Sequence, residues 1–218
     1  MISVMEPLDA NNNPAVPLAD RFGRTIRYLR LSVTDRCDMR CGYCMPEEGG
    51  ANAERAEICT LGELQRIVAV FRTLGVTTVR VTGGEPLLRR GLVDLIAAIR
   101  RDVGVDDIAL TTNATLLAEN ASTLKAAGVR RVTISLDSLD RERFRAITRG
   151  GALDRVLHGI ETAVRVGFDE IKTNTVCIRG VNDDEFGAIC DYAWAHGITP
   201  RFIELMPIGA GAELYATS

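Results

Sequence analysis

The chain has 218 residues, of which 46% are hydrophobic and 25% charged, and its formal net charge is −3 at pH 7. This composition is that of a globular protein with one sizeable core, and its charge gives no general attraction to nucleic acid or anionic membranes. No apolar run approaches the ~20 residues of a membrane span, and the N-terminus lacks the basic-then-apolar order of a signal peptide. We therefore expect a cytoplasmic protein that binds neither nucleic acid nor membranes.

The first 19 residues differ in character from the rest of the chain. They include Asn11, Asn12, Asn13 and three prolines, and they show no apolar period. We expect 1–19 to be a disordered N-terminal tail and 20–218 to form one core domain.

From residue 28 onward, short β-rich runs alternate with amphipathic helical stretches. Strands are predicted near 28–34, 77–82, 107–112, 131–137, 170–177 and 200–205, and helices near 60–74, 89–101, 115–127, 152–166 and 183–196. Thr60 and Glu63 have the spacing of a capping box at the first helix. The alternation predicts an α/β fold with a parallel sheet and right-handed crossovers. A partial (β/α)6 TIM-like barrel is the preferred interpretation, and an open doubly wound sheet is the alternative.

One face of the predicted sheet is polar. Alternation along the strands places Arg30, Arg80 and Lys172 opposite the apolar positions that helices must cover. In the last strand it assigns Ile203 and Leu205 to the apolar face. Because unpaired buried cations are costly, the polar face predicts a wet cavity for a polyanion such as a nucleotide triphosphate. A solvent-facing open sheet with ordinary polar residues is the alternative.

Three of the six cysteines fall within eight positions, at Cys37, Cys41 and Cys44, directly after the first strand. Crowded cysteines in a cytoplasmic chain indicate a metal site rather than a disulfide. Three thiolates can hold three irons of a [4Fe-4S] cluster and leave the fourth iron open. The methionine end of S-adenosylmethionine (SAM) could chelate that iron. A zinc knuckle that lacks a fourth ligand is the alternative.

A second loop, Thr82-Gly83-Gly84-Glu85-Pro86, follows the second strand. Its paired glycines allow a ligand to approach the backbone closely, and Glu85 offers a carboxylate to an ammonium group. Active sites of parallel α/β folds lie at the carboxyl ends of the strands, so we expect both loops to contribute to one site.

The cysteine triplet and the GGEP loop resemble the radical SAM superfamily. The flanking segments resemble, more narrowly, the GTP 3′,8-cyclase family, which begins molybdenum cofactor biosynthesis. These segments are "DRFGRTIRYLRLSVTDRCDMRCGYCMP", "RVTGGEPLLRR", "LTTNATLL", "RRVTISLDSLD", "IKTNTV", "GVNDDE" and "RFIELMPIG". The resemblance runs from about Asp20 to Gly209, which is nearly the whole chain.

The resemblance implies a radical SAM lyase that converts GTP to (8S)-3′,8-cyclo-7,8-dihydroguanosine 5′-triphosphate. It implies cluster ligation by Cys37, Cys41 and Cys44, SAM contacts at Tyr43, Gly84, Ser135 and Met206, and GTP contacts at Arg30, Arg80, Thr111 and Lys172. It also implies an external electron donor and the next enzyme of molybdopterin synthesis as partners, and it is compatible with a homodimer. It assigns no catalytic residue. The alternatives are a radical SAM enzyme acting on another substrate such as a peptide, and a fragment that only cleaves SAM or is not catalytic.

The resembled family continues further, with three more cysteines that hold a second [4Fe-4S] cluster beside the guanine and with a Gly-Gly tail. The resemblance therefore leads us to expect a chain truncated before that region. Cys59, Cys177 and Cys190 lack the spacing of the second triplet, and we expect them to be small buried hydrophobic residues.

Overall fold

A computed structural model describes residues 18–46 and 58–217. The predicted tail, apart from residues 18 and 19, lies outside these residues. Six parallel strands form one sheet in the order β1-β2-β3-β4-β5-β6. They are β1 Tyr28–Ser32, β2 Thr78–Thr82, β3 Asp107–Thr112, β4 Val129–Ser135, β5 Glu170–Cys177 and β6 Thr199–Glu204.

An α-helix follows each of the six strands in the chain. The helices are α1 Leu61–Thr73, α2 Leu92–Val103, α3 Leu117–Ala127, α4 Arg141–Thr148, α5 Leu153–Val166, α6 Phe186–Ala195 and α7 Gly211–Thr217. Helix α1 begins at the predicted capping box, in which the Thr60 hydroxyl accepts the Glu63 N–H and the Glu63 carboxylate accepts the Thr60 N–H. The sequence pattern did not predict α4 or α7. Among the described residues, no helix is long and apolar enough to cross a membrane.

The helices that connect the strands cover one face of the sheet. Neighbours in the sheet are neighbours in the chain, so right-handed crossovers place their helices on the same side. The core lies between sheet and helices, where Val79, Ile108 and Ile134 of the strands and Ile96 and Ile99 of α2 are fully buried. The predicted α/β fold with a partial (β/α)6 barrel is confirmed. The barrel is not closed, since β1 and β6 do not pair and form the two edges of the sheet.

The faces of β6 differ from the prediction. Ile203 pairs with Val176 of β5, and Arg201 pairs with Asn174, so both lie on the polar face and not under the helices. The ring of Phe202 is instead 4.9 Å from that of Phe186 in α6. Apolar residues are consecutive in this strand, so alternation alone does not determine which side faces the helices.

The expectation of burial for the three scattered cysteines is wrong. Cys59 is exposed, and Cys177 and Cys190 are half-buried. Cys59 directly precedes the N-cap of α1, and Cys177 is the last residue of β5, where the sheet ends against an open pocket.

Candidate functional site

The cysteine loop, residues 37–46, leaves the carboxyl end of β1 and rests against the end of α4. The N–H of Arg40 donates to the Thr148 carbonyl at 3.1 Å, and the N–H of Gly42 donates to the Ile147 carbonyl at 3.0 Å. The last carbonyls of a helix have no partner inside the helix, and this loop supplies partners for two of them. Helix α4, which the sequence pattern missed, is therefore one support of the loop.

Another support of the loop is the segment after β3. The Asp38 carboxylate accepts the Asn113 side-chain amide at 2.7 Å and the Thr115 hydroxyl at 2.6 Å. The same Asn113 amide lies 3.9 Å from the sulfur of Cys37. Sequence reasoning did not assign Asn113 or Thr115 to the site, although the polar run at the end of a buried strand was a usable signal.

The three clustered thiols influence one another electrostatically. Burial, with a smaller contribution from nearby Asp137, raises the pKa of Cys41 to about 12. Burial also raises the pKa of the Cys37 thiol, and Cys44, which is exposed, adds to the pKa of both. Several thiolates in one loop are therefore unfavourable unless a cation accompanies them. Bound metal reverses this balance, because a coordinating thiol is deprotonated outright.

The donor set fits an iron–sulfur cluster. Soft thiolates are the ligands that such clusters prefer. Within residues 18–46 and 58–217, no three His, Cys, Asp or Glu side chains converge on one ion position. A cubane binds each thiolate through a different iron, so its ligands need no shared position.

The paired glycines bring the second loop directly against the first. A Cβ on Gly84 would lie 2.3 Å from the Arg36 carbonyl oxygen and 2.7 Å from that of Asp35. The N–H of Gly84 donates to the Thr34 carbonyl at 2.8 Å. The close approach that requires glycine here is made by the protein's own backbone. The other side of Gly84 is exposed, so this residue is accessible to a ligand.

Glu85 does not have the predicted role of an available partner for an ammonium group. Its side chain is fully buried. It accepts the Leu87 N–H at 3.0 Å, the Thr112 hydroxyl at 2.8 Å and the Asn113 N–H at 2.7 Å. Burial raises its pKa to about 7 despite these three donors. The carboxyl group joins the end of β2 to the end of β3.

The four expected SAM contacts lie along the carboxyl edge of the sheet. Ser135 ends β4, and Gly84 follows β2. Met206 follows β6 and is exposed. The backbones of Tyr43 and Met206 meet at Gly211, where a Cβ would lie 3.2 Å from the Tyr43 oxygen and 2.8 Å from the Met206 oxygen.

The four expected GTP contacts share the polar face. Arg30 pairs in register with Arg80, and the Arg80 guanidinium donates to the Thr111 hydroxyl at 3.1 Å and to the Thr133 hydroxyl at 2.9 Å. Thr133 pairs with Lys172 of β5. These residues therefore form a continuous band across β1 to β5.

The predicted cavity for a polyanion is, in the structure, an open polar face whose cations are at least partly exposed. Arg30 is exposed, and Arg80 also donates to the Tyr28 hydroxyl. The Lys172 ammonium lies 2.9 Å from the Glu170 carboxylate. The face is a half-exposed polar surface on which Arg80 and Lys172 have polar partners.

An open parallel sheet that carries three clustered thiols at its carboxyl edge, beside a polar face, has the architecture of a radical SAM enzyme. The model of the Radical SAM superfamily matches residues 31–193, and the chain belongs to this superfamily. The predicted class, and the [4Fe-4S] and SAM cofactors that define it, are thereby confirmed.

Within the superfamily, the chain is similar to GTP 3′,8-cyclases. It is 49% identical over 199 residues to the GTP 3′,8-cyclase of Peptoclostridium acidaminophilum, covering 91% of this chain and 61% of the relative. It is 52% identical over 193 residues to that of Ectopseudomonas mendocina, covering 88% and 58%. The chain thus spans about three fifths of the length of these curated relatives.

Solved structures agree on the fold. SuiB of Streptococcus suis bound to S-adenosylmethionine superposes with a TM-score of 0.70 at 20% identity, covering 84% of this chain and 41% of SuiB. HydG, a maturase of the [FeFe]-hydrogenase, superposes with a TM-score of 0.66 at 19% identity, covering 85% and 44%.

Proposed function

We propose that this chain holds a [4Fe-4S] cluster on Cys37, Cys41 and Cys44, binds SAM beside it and acts on GTP. The product would be (8S)-3′,8-cyclo-7,8-dihydroguanosine 5′-triphosphate, in the first step of molybdopterin synthesis. One observation carries the choice of a nucleotide triphosphate. Arg30, Arg80, Thr111 and Lys172 form one band across adjacent strands of the polar face.

This band suits a chain of phosphates. Charge-assisted hydrogen bonds to phosphate contribute about 1.5–3 kcal/mol each. Thr111 and Thr133 hold the Arg80 guanidinium in place through its Nη1 group, which leaves Nη2 free of these two bonds. A preordered guanidinium loses less side-chain entropy when it binds an anion.

The SAM candidates lie next to this band. Ser135 is two residues beyond Thr133 on the same strand, and therefore on the same face, nearer the carboxyl edge. When bound, the cluster and SAM supply a 5′-deoxyadenosyl radical by one-electron reduction of the sulfonium. The polar face would hold the nucleotide so that its ribose lies toward this edge, close to where the radical forms.

The proposal includes the setting of the reaction. An external donor supplies the electron, and the product passes to the next enzyme of molybdopterin synthesis. The clustered cysteines suit the reducing conditions of a cytoplasm. A homodimer is compatible with this function.

The test uses the chain reconstituted anaerobically with iron and sulfide and reduced with dithionite. Chromatography should detect 5′-deoxyadenosine from SAM, whereas GTP and ATP should bind with similar, salt-sensitive affinity and neither should be cyclised efficiently. A sample with a full cluster and intact fold that forms no 5′-deoxyadenosine would contradict the proposal.

The two lysines of the chain provide a matched pair for the nucleotide site. Lys172→Ala should weaken GTP binding about tenfold or more, because one charge-assisted contact is lost. Lys125, which donates to the Val166 and Gly167 carbonyls at the end of α5, is the control. Calorimetric titration of GTP should show no change in Lys125→Ala. Equal affinity of Lys172→Ala and the unsubstituted chain would remove the triphosphate assignment.

A further inference from the structure

A small apolar pocket of about 220 Å³ lies between the cysteine loop, α4 and the segment after β5. Its apolar lining comes from Ile147, Ile178, Val181 and Leu214, and Gly42 and Tyr43 of the cysteine loop line it as well. Val181 is 37% exposed, so the pocket opens to solvent. An apolar centre of this kind can exclude water when another protein covers it.

Three exposed arginines lie at the pocket or next to residues that line it. Arg145 is in the last turn of α4, next to Ala146 and Ile147 of the pocket lining, and Arg149 is the C-cap residue of the helix. Arg149 lines the pocket, and its guanidinium donates to the Met45 carbonyl at 2.9 Å. Arg40 is beside them, because its N–H donates to the Thr148 carbonyl. We call these three residues the arginine rim.

The positive charge of the rim is local. The chain as a whole carries a net charge of −3. The two other arginines of α4 already have acidic partners, since Arg141 pairs with Asp154 and Arg143 with Asp184. Glu142, one turn from Arg145 on the same helix, is the acidic neighbour of the rim on α4.

The pocket gives a short route to the expected cluster. Gly42 and Tyr43 lie between Cys41 and Cys44 in sequence, so a protein seated on the pocket touches the backbone that joins two expected ligands. Arg30, Arg80, Thr111 and Lys172 do not line this pocket. A partner here would therefore leave the polar face open to the nucleotide.

We propose that the apolar pocket and the arginine rim dock an acidic one-electron carrier protein. This inference rests on the proposed function, which needs an electron from outside the chain. In the step, the reduced carrier loses one electron and the cluster gains it, and no covalent bond of either protein forms or breaks. The rim attracts and orients the acidic surface of the carrier, and the pocket provides the water-excluding centre of the contact.

Binding to an acidic plant-type [2Fe-2S] ferredoxin tests the proposal. Calorimetry on the 218-residue chain without cluster should give a dissociation constant that rises with salt, because rim electrostatics are screened. Arg145→Glu should weaken binding about tenfold or more at low salt. Arg40→Glu changes the arginine of the cysteine loop and should have a similar effect. It serves as the second variant if Arg145→Glu does not fold.

The matched control is Arg165→Glu. Arg165 is exposed in the last turn of α5, which leads to the amino end of β5, at the opposite edge of the sheet. This variant changes the net charge equally and should bind ferredoxin like the unsubstituted chain. With the cluster reconstituted, stopped-flow absorbance should show slower reduction of Arg145→Glu by ferredoxin and unchanged reduction by dithionite.

Several results would overturn the inference. They are the absence of ferredoxin binding by the unsubstituted chain, unchanged affinity in folded Arg145→Glu and Arg40→Glu, and equal weakening in Arg165→Glu. The proposed function fails separately, if dithionite produces no 5′-deoxyadenosine. Dithionite-driven cleavage without any ferredoxin binding would overturn the docking surface alone.

Discussion

The phenol of Tyr43 donates a 2.7 Å hydrogen bond to the carboxylate of Asp137, 94 residues further along the chain. The same carboxylate accepts the Val176 N–H at 2.8 Å. Asp137 is buried, so a single side chain joins the cysteine loop to the ends of β4 and β5. If the loop moved away, the buried Asp137 carboxylate would lose its donor and keep the free-energy cost of desolvation. The hydrogen bond from Tyr43 therefore holds the loop at the carboxyl edge.

Tyr43→Phe should therefore destabilise the chain. It removes the donor to a buried carboxylate oxygen, for which we expect a loss of about 1–3 kcal/mol in the free energy of unfolding. Urea denaturation of the chain without cluster measures this loss. Tyr215→Phe, on a tyrosine that is 51% exposed, is the control and should change stability by no more than about 0.5 kcal/mol. Equal stabilities of the two variants would show that the bond to Asp137 contributes nothing.

Iron content distinguishes the clustered cysteines from the scattered ones. The anaerobically reconstituted chain should hold about four irons, as one [4Fe-4S] cluster requires. Cys41→Ala should lose the iron and the absorbance of the cluster, because it removes one of three ligands. Cys190→Ala, on a half-buried cysteine of α6, should retain both. Loss of iron from Cys190→Ala, or stoichiometric zinc in the unsubstituted chain, would show that the ligand assignment is wrong.

The contact between the two loops makes Gly84 intolerant of substitution. In Gly84→Ala the new methyl group would meet the Arg36 carbonyl at 2.3 Å, so the loops must separate at a cost of about 1–3 kcal/mol or more. Gly62, in α1, has no atom within 4 Å of its Cβ position. Gly62→Ala should be neutral or stabilise the helix by up to about 1 kcal/mol. Thermal unfolding of both variants measures the difference, and a Gly84→Ala chain as stable as Gly62→Ala would contradict the close contact.

The architecture could be predicted because periodicity and capping are local properties. The six strands, the order of strands and helices, and the capping box at Thr60 follow from residues near one another in sequence. Helix α4 was missed, although Asp140 caps it and Phe144, Ile147 and Thr148 form its buried side. Its eight residues are short and rich in arginine, so the apolar period is weak.

The candidate site could be predicted as residue types but not as partners. Spacing predicted Cys37, Cys41 and Cys44 as ligands, and alternation predicted the polar face. The partners that hold these residues are distant in sequence. Asn113 is 75 residues from Asp38, and Arg80 is 53 residues from Thr133. The burial of Glu85 likewise depends on the packing of β2 against β3, which a single loop sequence does not reveal.

That burial makes Glu85 a source of pH dependence. Burial raises its pKa from the ordinary 4.5 to about 7. The unfolded chain therefore releases this proton at lower pH than the folded chain does. The contribution of Glu85 to stability is fully present below pH 4.5 and is lost as the pH rises toward 7.

Glu85→Gln isolates this effect, because glutamine does not titrate and all other groups are shared. Its amide nitrogen must face one of three donors, so at low pH the variant should be less stable than the unsubstituted chain. As the pH rises from 4.5 to about 7, the unsubstituted chain should lose up to about 1.4 kcal/mol per pH unit relative to the variant. Urea denaturation of both chains without cluster at several pH values measures this difference. A difference that stays constant, or that grows in favour of the unsubstituted chain with rising pH, would show that the three donors outweigh burial and keep the carboxyl group ionised.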